Sequence, residues 1–298
     1  MCDLLCALPT ATGTTTLFAK NSDRPPEEGQ VVEWWAPRTD RGPVRTTHVH
    51  VPAHPDRTFG VLGSRPVWGW GLEHGVNEAG LAAGNASIYT TLDPRPFPAA
   101  LTGMDLVRLV LERCANAAAG VALVEHLLAT IGQGGSGHHG VRRPYWSSFL
   151  LADPHSAYVI ETSGPTMAVE EVVATRAISN RTTIPSFTAE HAHPRQPVAT
   201  LVQPRLDASC RVLADRPVTV EALTAHLASH EGGAGGWTVC MHVDDPAHQE
   251  TTTASMVAEL PAEGGPIAHV LVGAPCGRSY ERVDVSALAG LPTQTIAT

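Results

Sequence analysis

Cys2 directly follows the initiator methionine, and this position gives the residue a specific chemical use. Methionine is normally removed when the next residue is small, and cysteine is small enough. Removal would leave a thiol and a free α-amine on one residue. Because an α-amine has a pKa of roughly 7.7–8.0, it can serve as a general base at neutral pH. We therefore expect Cys2 to act as a nucleophile for acyl transfer that its own amine activates.

Two charged residues follow Cys2 closely in the sequence. Lys20 is the only lysine of the chain, and Asp23 lies three residues after it. Lys20 would favour the thiolate by placing positive charge near the sulfur. Asp23 would orient the amine and tune its basicity. Considered alone, the two residues fit a solvated turn better, so they need support from the rest of the chain.

Three asparagines lie in segments whose pattern fits the end of a strand, namely Asn77, Asn85 and Asn180. An asparagine amide donates hydrogen bonds without carrying charge, which suits the stabilisation of an oxyanion. Asparagine after a strand is also ordinary turn chemistry. We interpret Asn77 as a turn residue, and we assign a functional role to Asn85 and Asn180 on the resemblance given below.

Apolar periodicity predicts the elements that position these residues. Strands at 2–8 and 15–20 form a hairpin that brings Lys20 and Asp23 near Cys2. Hairpins followed by helices and then by further hairpins indicate an α+β protein with helices packed on sheets, in one domain. The other predicted strands are 44–51, 58–62, 81–85, 148–151, 157–161, 166–172, 174–179, 237–243, 252–260 and 268–273; the predicted helices are 103–117, 120–131 and 218–230, with a loop at 132–140.

Composition limits the classes of partner. The 298 residues are 43% hydrophobic and 16% charged, which fits a soluble globular protein. The net charge of −9 argues against nucleic acid or an anionic membrane as a partner. No apolar run approaches the roughly 18 residues of a membrane span, and the first residues do not resemble a signal peptide. We expect a cytoplasmic protein, with assembly into a homo-oligomer left open.

The cysteines and histidines do not predict a metal site or a cofactor. The six cysteines are scattered without a Cys-x-x-Cys pair, so we interpret them as separate thiols. The histidine pairs lie in Pro/Gly-rich segments, which indicates surface loops. Cys240 and His242 would face the same side of a strand, but we interpret this pair as structural. The paired histidines are His48 and His50, His138 and His139, and His191 and His193.

Four tryptophans are candidates for the lining of a substrate pocket. Trp34, Trp35, Trp68 and Trp70 could receive an apolar acyl group, or they could pack between sheet and helices. The core interpretation is slightly favoured. We choose Trp68 and Trp70 as the substrate-binding candidates.

An ordered set of segments runs across nearly the whole chain. Besides Cys2, its members are 18–25 (FAKNSDRP), 64–80 (SRPVWGWGLEHGVNEAG), 84–86 (GNA), 148–154 (SFLLADP), 177–180 (AISN), 239–242 (VCMH) and 252–257 (TTASMV). In content and in order, this set resembles the secernin and dipeptidase family of N-terminal-nucleophile hydrolases.

The resemblance implies a four-layer αββα sandwich in a single domain, 2–298, that cleaves a small peptide or amide bond through a thioester on Cys2. A more distant likeness to choloylglycine hydrolases and penicillin V acylases matches aspartate to Asp23 and asparagines to Asn85 and Asn180, but it has arginine where this chain has Lys20. Its late arginine would match Arg211, which we take as a substrate-binding candidate.

Two other functions remain open on the same residues. The acyl-enzyme could pass its acyl group to an amine, as in an acyltransferase or an amide-trimming enzyme of a biosynthetic pathway. Alternatively, the chain could be a non-catalytic, secernin-like binding protein. The sequence does not identify the substrate, and it predicts no cofactor.

Overall fold

The computed structural model describes residues 1–39 and 42–298, and its first large sheet carries the N-terminus. This sheet contains β1 (Cys2–Ala7), β2 (Thr16–Arg24), β12 (Thr175–Ile178), β13 (His242–Asp245), β14 (His248–Leu260), β15 (Ile267–Val272) and β16 (Glu281–Asp284). The strands are antiparallel in the order β12-β1-β2-β14-β15-β16, and β13 pairs with one end of β14.

The second large sheet is also antiparallel. It contains β3 (Gln30–Trp35), β6 (Val61–Pro66), β7 (His74–Asn77), β8 (Ala82–Ile88), β9 (Trp146–Ala152), β10 (Ala157–Ser163), β11 (Thr166–Glu171) and β17 (Gln294–Ala297). Their order is β11-β10-β9-β8-β7-β6-β3-β17. The short strands β4 (Val44–Arg45) and β5 (His50–Val51) form a separate ribbon.

The helices connect and cover the sheets. They are α1 (Pro9–Thr12), α2 (Gly103–Arg113), α3 (Ala117–Thr130), α4 (Pro185–His191), α5 (Val198–Leu201), α6 (Gln203–Ala214) and α7 (Val220–Leu227), with 3₁₀ turns at Pro275–Gly277 and Val285–Leu288. Thr102 and Asp105 form a capping box that begins α2. Across the described residues, none of these helices combines the length and apolar character that crossing a bilayer requires.

Three apolar cores separate four layers. Side chains alternate across a strand, so each sheet presents one face to the other sheet and one face to helices. The central core lies between the sheets, the second lies under α2 and α3, and the third lies under α6 and α7. Representative members are Leu4, Phe18, Leu62 and Leu150 in the first, Ala83, Leu106 and Val110 in the second, and Leu5, Ala19 and Leu223 in the third. The predicted αββα sandwich is confirmed.

The N-terminal hairpin is confirmed and its register is defined. Cys2 pairs with Ser22, and Leu4 pairs with Lys20. The connection between the strands is the short helix α1, which ends at Gly13 in a left-handed conformation. This register places Lys20 two residue pairs along the hairpin from Cys2, and therefore on the same face of the sheet.

Several predicted elements differ from the structure. The predicted strand 237–243 is a strand only from His242 onward, because Gly235 and Gly236 adopt positive φ and turn the chain. The predicted strand 44–51 is two short strands that pair with each other. Helix 103–117 stops at Arg113, because Asn116 caps a new helix. Strands β3, β7, β16 and β17 and helices α4, α5 and α6 were not predicted.

Candidate active site

Cys2 begins β1 and lies at the edge of the central core. Its side chain is on the face shared with Leu4 and Cys6, and only 6% of the residue is exposed. Lys20 faces the same layer from β2 and is fully buried. The hairpin therefore brings the sulfur and a buried ammonium group into the same layer, as the sequence predicts.

Met1 continues the strand beyond Cys2 and is fixed by polar contacts. Its amine donates hydrogen bonds to the Asp23 backbone oxygen at 2.8 Å and to Glu250 Oε2 at 2.9 Å. The Asp23 backbone nitrogen donates to the Met1 carbonyl at 2.9 Å. Met1 also lines a cavity of about 780 Å³, whereas Cys2 does not. With Met1 present, the nitrogen of Cys2 is a peptide amide.

Asn180 holds that amide and joins the two sheets. The Cys2 nitrogen donates to Asn180 Oδ1 at 2.8 Å. Asn180 Nδ2 in turn donates to the Ser87 carbonyl at 2.9 Å and lies 3.1 Å from the Ser87 hydroxyl. Asn180 lies two residues beyond the end of β12, and Ser87 belongs to β8 of the other sheet. The oxygen of this asparagine thus faces the nitrogen of Cys2, and its amide group faces the second sheet.

Asp23 has one satisfied and one unsatisfied oxygen. Thr252 donates to Oδ1 at 2.7 Å, whereas Oδ2 is buried and has no hydrogen-bond partner among the described residues. The closest cation to Oδ2 is Arg205 Nη1, at 4.0 Å. Burial raises the pKa of Asp23 to about 7, against the opposing charges of the Met1 ammonium and Arg205. A buried acceptor without a donor is unfavourable, so this oxygen is suited to receive one.

Lys20 belongs to a buried charge network. Its Nζ donates to the Glu73 carbonyl at 2.6 Å and to Glu73 Oε2 at 3.1 Å. Arg24 binds the same carboxylate and also that of Glu28. Burial raises the pKa of the Cys2 thiol, and the Lys20 charge is the largest influence that lowers it, with Glu73 acting in the opposite sense. In the presence of Met1 the thiol is therefore protonated at neutral pH.

Arg205 is a site residue that the sequence analysis missed. It is fully buried on α6, and its Nη1 lies 2.6 Å from Asp3 Oδ2. Its Nη2 donates to Asn180 Oδ1 at 3.1 Å, the same oxygen that accepts from Cys2. One signal in the sequence could have found it: Arg205 lies on the side of α6 that also carries Leu206 and Ser209, and both of these residues are buried.

Arg211 lies elsewhere on the same helix. Its side chain is 63% exposed and pairs with Glu231 at 2.7 Å. It does not line the 780 Å³ cavity. The structure therefore separates Arg211 from the other candidates, and the arginine that reaches the site is Arg205.

Asn85 lies near this network but does not contact Cys2 through any hydrogen bond of the described residues. Its backbone nitrogen donates to the Glu73 carbonyl at 3.3 Å, the oxygen that also binds Lys20. Its side chain points toward the start of α2, where a Cβ on Gly103 would lie 2.6 Å from Nδ2. Its Oδ1 is buried and has no hydrogen-bond partner among the described residues.

Asn77 is a turn residue, as we interpreted it: its oxygen accepts from the amides of residues 79 and 81.

The tryptophans divide between the site and the core. Trp68 Nε1 donates to Glu28 Oε2 at 3.0 Å, and Glu28 lines the cavity. Trp70 packs against the guanidinium of Arg108, 4.3 Å from its ring centre. Trp34 is fully buried between the sheets, and Trp35 packs at the helix side. Trp68 thus contacts a residue of the cavity wall but does not line the cavity itself, and Trp70 does neither.

Charged and apolar residues both line the cavity beside Met1. Glu250 and Arg143 are 3.8 Å apart on its wall, and the Met1 ammonium lies next to Glu250. His138, Leu201 and Trp237 contribute from other segments. Such a wall fits a small polar substrate with an apolar portion.

Comparison with known proteins identifies the fold. No family model matches the chain. A solved structure of a conjugated bile acid hydrolase from Clostridium perfringens covers 100% of this chain and 97% of its own, with a TM-score of 0.61 and 13% identity. The penicillin V acylase of Agrobacterium tumefaciens covers 99% of this chain and 91% of its own, with a TM-score of 0.62 and 12% identity. The chain therefore shares its overall fold, an αββα sandwich, with these two proteins.

Proposed function

We propose that this chain is a cysteine amidohydrolase of the N-terminal-nucleophile type that becomes active when Met1 is removed. The observation that carries this proposal is the hydrogen bond from the Cys2 nitrogen to Asn180 Oδ1, close to a buried Asp23 oxygen without a donor. Loss of Met1 would convert that nitrogen into an amine. The amine would keep its acceptor in Asn180, and in its protonated form it would place a positive charge beside Asp23 that favours the ionised carboxylate. The names of the two solved structures of this fold, a hydrolase and an acylase, support the same reaction class.

The reaction divides into two acyl transfers. The Cys2 amine takes the proton of the thiol, and the sulfur attacks the carbonyl carbon of the substrate. The proton then passes to the leaving nitrogen as the C–N bond breaks, which leaves a thioester on Cys2. Water attacks the thioester, the amine takes a proton from that water, and the carboxylic acid leaves as the thiol is restored.

The neighbouring residues have separate roles in this mechanism. Asn180 Oδ1 and Asp23 orient the amine, and Arg205 holds Asn180. Lys20 favours the thiolate through its charge. On the resemblance, we further propose that Asn85 stabilises the oxyanion of the tetrahedral intermediate. The amide of Asn180, the second asparagine expected there, donates to Ser87 in this structure and would have to leave it to take part.

The contacts of Met1 favour a dipeptide as the substrate. Met1 is an aminoacyl group with a free ammonium, joined by an amide bond to the residue that follows. Glu250 binds that ammonium at 2.9 Å within the cavity wall. After Met1 leaves, Glu250 is free to bind the α-ammonium of a substrate. An N-acylated substrate has no such group, so this proposal favours dipeptidase activity.

Substitution of the nucleophile tests the proposal. Purified protein whose intact mass lacks Met1 is incubated with a panel of dipeptides and N-acyl amino acids, and the release of free amine is measured. Cys2→Ala should abolish turnover, because the nucleophile is lost. Cys210→Ala is the matched control, since Cys210 is an exposed free thiol on α6. Unchanged turnover in Cys2→Ala would contradict the proposal.

The same assay distinguishes the hydrolase from the two other candidate functions, an acyltransferase and a binding protein. An acyltransferase would form an amide when a competing amine is added, whereas a hydrolase would continue to release the acid. A binding protein would turn over none of the panel and would retain Met1. Either result would replace the hydrolase proposal.

A further inference from the structure

Four potential metal ligands meet outside the candidate active site. They are His230, Cys240, His242 and Cys276, and their ligand atoms all lie within 4.8 Å of one another. Cys240 Sγ is 3.4 Å from His242 Nε2, which is 3.2 Å from Cys276 Sγ. The rings of His230 and His242 meet edge to face, with centres 5.1 Å apart. The function proposed above uses none of these side chains.

The geometry points to a tetrahedral zinc ion, and we propose that these four residues bind Zn²⁺. Bonds of about 2.3 Å to sulfur and about 2.0–2.1 Å to nitrogen separate the ligands of a tetrahedral site by roughly 3.3–3.8 Å. The distances between the Sγ atoms and His242 Nε2 lie close to this range. Two thiolates also neutralise the two positive charges of the ion. Sulfur and imidazole ligands in this number select zinc among the common divalent metals.

The four ligands come from three separate segments. His230 follows α7, Cys240 and His242 flank the start of β13, and Cys276 lies in the 3₁₀ turn after β15. Cys240 and His242 are two residues apart in nearly extended chain, so their side chains can reach the same point. A bound ion would cross-link these segments and add to the backbone hydrogen bonds that join Ser229 to Cys240 and Glu231 to Val239.

This cross-link would hold in place the loop that contacts the candidate active site through Thr252. Met241 lies between two of the ligands, and its nitrogen donates to Thr252 Oγ1 at 2.9 Å. Thr252 donates to Asp23 Oδ1 at 2.7 Å. The same loop carries Trp237, which lines the cavity. The zinc site would therefore act as a structural anchor for Asp23 and one cavity wall.

Metal analysis of the full-length protein tests this inference. After purification under reducing conditions and dialysis against zinc, we expect one zinc per chain. Replacement by cobalt(II) should give the visible bands of a tetrahedral site and a thiolate-to-cobalt charge-transfer band. Cys276→Ala and His230→Ala, which both change exposed residues, should weaken zinc binding by on the order of 100-fold or more. Cys210→Ala and His248→Ala, also at exposed positions, should bind zinc as the parent does.

Thermal unfolding supplies an independent readout. A strong chelator should lower the melting temperature of the parent and of the two controls, and it should not change that of Cys276→Ala. Three results would overturn the inference: no stoichiometric zinc after reconstitution, binding that Cys276→Ala leaves unchanged, or a mass two hydrogens lower that maps to a Cys240–Cys276 disulfide. These outcomes do not depend on the proposed hydrolase activity.

Discussion

Glu250 is the residue whose contacts carry the substrate proposal. Its carboxylate binds the Met1 ammonium at 2.9 Å and is almost entirely buried. Burial alone would raise the pKa of Glu250, but the Met1 ammonium and Arg143 lower it overall. With Met1 in place the carboxylate is therefore ionised at neutral pH, and we propose that the ammonium of a substrate takes the place of the Met1 ammonium after Met1 leaves.

We expect Glu250→Gln to raise the KM for dipeptides by about 10- to 100-fold, because a hydrogen bond to a charged group contributes about 1.5–3 kcal/mol. The KM for N-acetylated dipeptides should stay within about twofold, since these substrates lack the ammonium. Steady-state kinetics on matched pairs of free and acetylated substrates makes the comparison. An equal loss on both members of a pair would show that Glu250 acts only through the fold.

The raised pKa of Asp23 predicts how the free energy of unfolding depends on pH. Its pKa rises from 3.8 to about 7 in the folded protein, chiefly through burial. A group with a raised pKa binds its proton more tightly when folded, so its contribution to the free energy of unfolding falls as pH increases from about 4 to about 7. Asp23→Asn removes this titration and keeps an acceptor for Thr252.

In protein that retains Met1, Asp23→Asn should therefore become more stable relative to the parent as pH rises across that interval. Urea unfolding of both proteins at several pH values measures the difference. A difference that stays constant with pH, or that changes in the opposite direction, would contradict the buried and unsatisfied state of Asp23.

Among single residues, the sequence predicted those that lie near one another along the chain. Cys2, Lys20 and Asp23 are brought together by one hairpin whose alternation is visible in the sequence. Asn180 came only through the family resemblance, because a contact across 178 residues leaves no local pattern. His230 and Cys276 gave no signal at all, since only the folded chain brings them to Cys240.

At the scale of elements, α6 connects the helical layer to the nucleophile. Arg205 reaches through the third core to Asp3 and Asn180, whereas Arg211 stays on the exposed face. Six residues separate these arginines, and at 3.6 residues per turn they point to different sides of the helix. Sequence spacing alone could not select the buried one, because both are arginines in the same amphipathic segment.

Arg205→Met should destabilise the protein by about 3–5 kcal/mol, because it leaves Asp3 as a buried charge without its partner. It should also lower kcat, since Asn180 loses a positioning contact. Arg211→Met, the matched control, should change stability by at most about 1 kcal/mol, because it removes only an exposed pair. Chemical unfolding measures both, and Arg205→Lys should recover part of the stability. Equal effects of the two methionine variants would contradict the assignment.

Prolines explain why three helices were not predicted from the sequence. Pro185 and Pro204 lie in the first turn of α4 and α6, and Pro197 immediately precedes α5. Proline is favoured where a helix begins, because the first amides have no acceptor within the helix. Several prolines within twenty residues predict a loop, although three of them lie at the start of a helix. Most of the longer strands were predicted from their pattern, whereas β3, β7, β16 and β17, each of four to six residues, were missed.

At the scale of the whole molecule, both ends of the chain contribute to both large sheets. The first sheet pairs β2 with β14, and the second pairs β3 with β17. Neither sheet would be complete if the chain were divided near its middle. This arrangement supports the prediction of a single domain over 2–298, which the order of hairpins and helices first indicated.

We expect thermal unfolding to proceed in one cooperative transition. Calorimetric and van't Hoff enthalpies should agree, because all three cores share strands and so lose their packing together. Differential scanning calorimetry of the zinc-loaded protein provides both values. Two resolved transitions would contradict the single-domain prediction.

The central proposal depends on the removal of Met1, because only then does Cys2 carry an amine. The most direct test measures dipeptide hydrolysis in preparations that differ in the fraction of chains lacking Met1, with that fraction determined by intact mass. We predict that activity rises in proportion to the fraction that begins at Cys2 and approaches zero when every chain retains Met1. Activity that does not depend on this fraction would contradict the role of Cys2 as an N-terminal nucleophile.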